Sequence, residues 1–270
     1  MLKNFILTHG NVIEQFPEPA TPWKYSQNNI ELELITRARI NQDFNAIVDE
    51  IPDTLMRDNI ASFFNVIDLS KKEKRQNLYK GFIATILWGG KHKSRPPEKD
   101  HFLKIVAMDK NTIMDRMENV YNILLEGVED EKVAKIKIRE AYLSLNNVEN
   151  NGIPGVKDSY FTKILYFMGK SINSPIMPLI HDRHMKMAHC DILLDDGEQS
   201  LGFYGWSEKY GLRAKKYADS YIDYCQRMNK YAESIQVAPD ILECSIFNLL
   251  HPGAPTSPVY QSVYNRRHLL

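Results

Sequence analysis

Between residues 28 and 250, apolar positions recur three and four apart rather than alternating, which is the spacing of one face of a helix. The pattern predicts helices over 28–50, 53–66, 70–89, 110–126, 130–146, 159–169, 183–190, 207–235 and 239–250. In the long segment before residue 235, Tyr217, Tyr221, Tyr224, Met228, Tyr231 and Ile235 fall on one face, which reads as core packing rather than a row of base-stacking rings. Pro239 suits the first turn of the last helix, where a missing N–H costs little. Strand signals are confined to Phe5-Ile-Leu-Thr and a few isolated pieces, so the expected fold is all-α. Prolines mark irregular stretches at both ends: Pro17, Pro19 and Pro22 within 10–27, and Pro252, Pro255 and Pro258 after His251. The expected organisation is a helical and irregular N-terminal segment, 1–70, packed on a main domain, 71–250, followed by an extended tail, 251–270.

With 43% apolar and 25% charged residues, the 270-residue chain has the make-up of a folded globular protein, so collagen-like and broadly disordered readings fall away. The apolar run from Phe82 to Gly90 is too short to cross a bilayer, and the stretch from Met1 to Gly10 lacks the apolar core of a secretory signal. Cys190, Cys225 and Cys244 are an odd and widely spaced set, which argues against a disulfide framework or an iron–sulfur cluster. A cytoplasmic setting is expected. Total charge is balanced, but residues 1–70 hold five Lys/Arg and ten Asp/Glu, whereas 71–110 hold eleven Lys/Arg and four Asp/Glu. That basic stretch suits phosphates, or is a solvated lysine-rich helix end.

Gly89-Gly90-Lys91-His92-Lys93-Ser94 is not a Walker loop: its glycines follow a helical run, and His92 stands where Ser or Thr should follow the lysine. A glycine stop at a helix end accounts for it better. Chemistry concentrates instead between 151 and 190. Ile153-Pro154-Gly155-Val156 sets two apolar anchors about a Pro-Gly turn between helices, and the hairpin spans 146–169. Gly155 lets the backbone approach an external group, and the N–H groups opening the next helix can face a phosphate. That layout is a DNA-backbone clamp, or an ordinary corner between helices. In 159–169, Lys163 is the one charged residue among apolar and aromatic neighbours. Its stem can lie along apolar surface with the amine in water, or the amine can be partly desolvated and available as a neutral nucleophile. Asp182, nineteen residues on, stands where it would cap a short helix and could pair with that lysine across a cleft.

The hairpin, the lysine on the following helix and the later aspartate resemble the helix-hairpin-helix DNA glycosylases, in particular the 8-oxoguanine branch. The branch's Leu-Pro-Gly-Val-Gly is similar to Ile153-Pro154-Gly155-Val156-Lys157, and its catalytic lysine and aspartate correspond to Lys163 and Asp182. The resemblance extends over about 75–250 and takes in Leu242-Glu243 and Ile246-Phe247. It implies two helical lobes flanking a cleft. Two departures stand out. Lys157 replaces the hairpin's second glycine, and four extra residues, Asp158 to Phe161, precede the nucleophile position. Lys157 is thereby a rival nucleophile, although a phosphate contact suits it better. The family's N-terminal sheet domain has no recognisable counterpart in 1–70.

By resemblance, the expected activity is base excision: a damaged or modified base is flipped out of double-stranded DNA, Lys163 attacks the sugar C1′, and Asp182 stabilises the cationic sugar. A Schiff base and strand nicking by β-elimination follow from a lysine nucleophile. Oxidised guanine is the family's default base, and some bacterial proteins that resemble this chain serve antiviral defence. The alternative is a non-catalytic nucleic-acid-binding protein on the same scaffold. DNA contacts are expected at Ile153, Gly155, Val156, Lys157, Arg183, His184, Lys91, Lys93 and Arg95, and base-pocket walls at Phe203 and Trp206, with Trp88 in the core. His181, His184, His189 and Cys190 cluster near Asp182 but lack the tight spacing of zinc ligands, so no metal or other cofactor is expected. The expected partner is DNA and not a membrane, and the expected state is a monomer.

Overall fold

Helices begin where short polar side chains can cap them. In the computed structural model, the described residues are 21–22, 42–89, 104–146, 152–197 and 211–250. α1 (Gln42–Asp49) and α2 (Arg57–Phe63) precede α3 (Lys71–Trp88). Ser70 caps α3: its hydroxyl accepts from the Glu73 N–H, and Glu73 accepts from the Ser70 N–H. This reciprocal pair satisfies two donors that the first turn would otherwise leave open. α4 (Lys110–Leu125) starts on Asp109, and α5 (Glu131–Leu145) starts on Asp130, each carboxylate accepting a first-turn N–H. α6 (Asp158–Ser171), α7 (Arg183–Asp195), α8 (Gly211–Ser234) and α9 (Pro239–Leu250) follow among the described residues.

The all-α expectation holds among the described residues, and the boundaries fall within a few residues of the spacing pattern except near the N-terminus. There the helix expected over 53–66 begins only at Arg57, because Thr54–Leu55 (β2) pairs antiparallel with Thr21–Pro22 (β1). The expected helix at 28–50 is described only from residue 42. Phe5-Ile-Leu-Thr, the basic residues 91–95, the aromatic pair Phe203 and Trp206, and the tail 251–270 lie outside the described residues.

α6 is the central element and packs against α2, α3, α4 and α5. Ile164, Leu165, Tyr166, Phe167 and Met168 are all fully buried, so the helix is apolar around most of its girth, as a core helix should be. Tyr142 of α5 meets Phe161 edge-on at 4.8 Å and stacks on Tyr221 of α8 at 5.0 Å. The expected tyrosine face of α8 does enter the core: Tyr221, Tyr224 and Met228 are fully buried. α8 and α7 also pack on α9. All three cysteines are buried free thiols. Among the described residues, no helix is long and apolar enough to cross a membrane.

Candidate active site

Ile153 to Val156 form a four-residue turn, with the Val156 N–H bonded to the Ile153 carbonyl at 3.0 Å. Gly155 has φ 82°, the left-handed value that a type II turn demands after proline. Ile153 and Val156 are buried, so these two anchor the turn to the core and offer no side chain to a ligand. What faces outward is the turn backbone, Pro154 and the exposed Lys157, which is the N-cap of α6. Arg116 of α4 donates to the Gly152 carbonyl and braces the turn from behind.

The turn launches α6, and one turn in, Lys163 lines a cavity of about 240 Å³. Asp182 lines the same cavity, together with Arg57, Trp88, Glu243 and Phe247. That volume suits one nucleobase better than an extended ligand. The Lys163 amine donates to the Ser159 carbonyl at 3.0 Å and lies 5.3 Å from the centre of the Tyr160 ring. Burial lowers its pKa and Arg57 adds to that shift, while Asp182 and Glu243 oppose it. The net direction is down, which enlarges the neutral, nucleophilic fraction. Of the two lysines in question, Lys163 lines the cavity, and Lys157 is not among the lining residues.

Asp182 is held by the helix it starts. Its Oδ1 accepts from the His184 N–H at 3.0 Å and the Met185 N–H at 3.2 Å. One carboxylate thus caps α7 and borders the cavity. Arg183 is exposed at that helix's first turn, and His184 meets Phe247 edge-on at 5.4 Å. A half-buried bridge between Lys186 and Asp158 ties the starts of α7 and α6 together.

Arg57, Glu243 and Trp88 line the cavity although none was expected to form part of a site. Arg57 comes from α2, inside the N-terminal segment, and bonds Glu243 of α9 at 2.5 Å. Burial pushes the Glu243 carboxyl up to about 7, against the pull of Arg57. Burial opposes the charge on Arg57, but Glu243, Tyr166 and Cys244 together outweigh it and lift the guanidinium well above its ordinary value. The guanidinium also lies 5.1 Å from the Tyr166 ring centre and 5.9 Å from that of Trp88. Trp88, expected in the core, is only partly buried and lines the cavity. Its indole N–H has no hydrogen-bond partner among the described residues. The signal in the sequence was a lone charge on an apolar face: Arg57 in register with Ile60, Ala61 and Phe64, and Glu243 beside Leu242 and Ile246.

The basic stretch resolves in part. Arg75 bonds Asp115 and Glu118, Lys80 bonds Glu50, and Lys74 donates to Asn122, so these charges of α3 serve contacts within the fold. Lys91, Lys93 and Arg95 lie outside the described residues, as do Phe203 and Trp206. No group of three His, Cys, Asp or Glu among the described residues could hold a metal ion. His189 bonds Asp223 at 3.0 Å, and His181 stacks on Tyr224 at 4.5 Å.

The family model described as "Putative 8-oxoguanine DNA glycosylase OGG-like protein" matches residues 22–247. The match reaches back past the expected limit near residue 75 and takes in α1, α2 and Arg57. No curated protein and no solved structure matches the chain.

Proposed function

Because the chain belongs to the OGG-like family of DNA glycosylase-like proteins, we propose that it is a lysine-dependent DNA N-glycosylase with Lys163 as nucleophile and Asp182 as its carboxylate partner. The observation that carries this reading is the presence of both groups on one nucleobase-sized cavity, with the amine's pKa displaced downward. A base inside a duplex is out of reach of such a cavity, so the target nucleotide is flipped out first. The turn at 153–156, with Lys157, Arg183 and His184, meets the phosphate backbone. Ile153 and Val156 serve there as anchors.

In the reaction, neutral Lys163 Nζ attacks the sugar C1′ while the glycosidic C1′–N bond breaks. The base leaves with that electron pair and takes up a proton. The carboxylate of Asp182 stabilises the positive charge on the sugar. A proton then passes from the attacking nitrogen to the ring oxygen O4′ as the C1′–O4′ bond breaks, which leaves a C1′=N Schiff base. Loss of a C2′ proton expels the 3′ phosphate and nicks the strand. Water releases the lysine. Trp88 and Phe247 wall the base site, and DNA is the one partner required.

Borohydride trapping on duplexes carrying oxidised, abasic or hypermodified bases tests the proposal. Wild type forms a covalent adduct and Lys163→Gln forms none, with DNA binding retained. An adduct that persists in Lys163→Gln rejects the assignment. Binding without trapping in wild type identifies a non-catalytic DNA-binding scaffold. Whether oxidised or hypermodified bases trap best separates base-excision repair from antiviral defence.

A further inference from the structure

From Ser174 to Asp182 the chain joins α6 to α7 without regular secondary structure, and Pro178 to His181 are buried. Buried backbone groups with no ladder of their own need partners elsewhere. α8 supplies several of them, and those of neighbouring Met177, from side chains. Asn229 accepts from the Met177 N–H at 3.1 Å and donates to the Met177 carbonyl at 3.0 Å. The Leu179 N–H reaches Cys225 Sγ at 3.5 Å, and Tyr221 Oη donates to the Leu179 carbonyl at 3.0 Å. Tyr224 Oη donates to the Ile180 carbonyl at 3.1 Å. At the next residue the partner changes to α6: Thr162 Oγ1 accepts from the His181 N–H at 3.2 Å and donates to the Asp158 carbonyl at 2.9 Å.

That last bond joins the residue before Lys163 to the residue before Asp182. Tyr221, Tyr224 and Thr162 are all fully buried. Packing alone does not call for their hydroxyls, because phenylalanine would fill either tyrosine site. Both phenols nonetheless end on consecutive carbonyls of the segment that leads to Asp182. The Tyr224 ring also stacks on His181, at 4.5 Å and 22°, so one residue holds the backbone and a neighbouring side chain together.

We infer that Tyr221, Tyr224 and Thr162 are positioning residues that set the Asp182 carboxylate against the Lys163 amine across the cavity. The inference rests on reading those two groups as the reacting pair. The tyrosine face of α8 therefore does more than fill the core. It fixes where a charge stands relative to an amine on another helix, and a displacement of the order of an ångström is enough to slow a positioned reaction substantially.

Two measurements test this on the full chain. In single-turnover trapping, Tyr224→Phe and Thr162→Val lower the rate constant by about tenfold or more, while the DNA concentration for half-saturation stays unchanged. Thr162→Ser, which keeps the hydroxyl, recovers most of the loss. The second measurement needs no activity: the Lys163 titration followed by NMR in DNA-free protein after reductive ¹³C-methylation. The charge of Asp182 raises the Lys163 pKa, so Asp182→Asn moves the titration to lower pH, and Tyr224→Phe moves it in the same direction. A titration unmoved by either variant overturns the inference, as does a trapping loss matched by equally weakened DNA binding. If wild type traps no DNA at all, the proposed activity fails, and the titration alone decides the positioning role.

Discussion

Burial sets the downward direction of the Lys163 pKa, and three charged side chains around the amine modulate it. Asp182 and Glu243 favour its protonated form, whereas burial and Arg57 favour the neutral one. Removing a carboxylate should therefore free the amine at lower pH. Glu243→Gln is expected to shift the rising limb of the trapping rate to lower pH, read as the pH of half-maximal trapping. The same carboxyl links stability to pH. In the folded chain it holds its proton up to about 7, against an ordinary value of 4.5. A raised carboxyl contributes fully below the unfolded value, and the contribution is lost as pH rises through the folded one. Wild type should lose melting temperature between pH 5 and 7 relative to Glu243→Gln, and parallel curves for the two proteins would contradict the shift. These influences were not legible in the sequence, because spacing identifies a lysine among apolar neighbours but not which distant charges surround it.

The elements were far more legible than their contacts. Periodicity is local, and Asp182 was expected to cap the helix it precedes, as it does; the caps at Ser70, Asp109 and Asp130 emerge from the structure. The β1–β2 pairing was not legible, since two-residue strands carry no periodic signal. Asp182 belongs to both categories: its capping role follows from position, and its place on the cavity follows from packing. The two roles separate by mutation. Asp182→Ala should lose about 1 kcal/mol of stability with the cap, together with trapping activity. Asp182→Asn keeps an oxygen for the first-turn N–H groups, so denaturant unfolding should stay near wild type while trapping falls. Equal destabilisation by both would mean that the carboxylate's charge, not its hydrogen bonds, holds α7. The α8 tyrosines show the limit of pattern reading at this scale. A hydrophobic face predicts burial well, but it says nothing of a phenol that ends on a backbone carbonyl.

At the scale of the whole molecule, the bond between Arg57 and Glu243 spans 186 residues of sequence and lies at the cavity itself. The resemblance in the sequence began near residue 75, so the N-terminal segment carried no expected part in the site. Arg57 gives it one, since the guanidinium lies against Trp88 and Tyr166 and neutralises the buried acid of α9. Above pH 7, where Glu243 is ionised, Arg57→Met should destabilise the chain by about 3–5 kcal/mol in denaturant titration, because it strands a buried carboxylate. Replacing Glu243 by Leu in the same chain should return most of that loss. A pair of such separation also sets an order of events during synthesis. A ribosome releases α2 long before it makes α9, at a pace of about 5–20 residues per second, so the guanidinium waits roughly ten seconds or more for its counter-charge. A polypeptide cut short before α9 lacks one wall of the chamber, so the Lys163 amine gains its full surroundings only after that helix has been made.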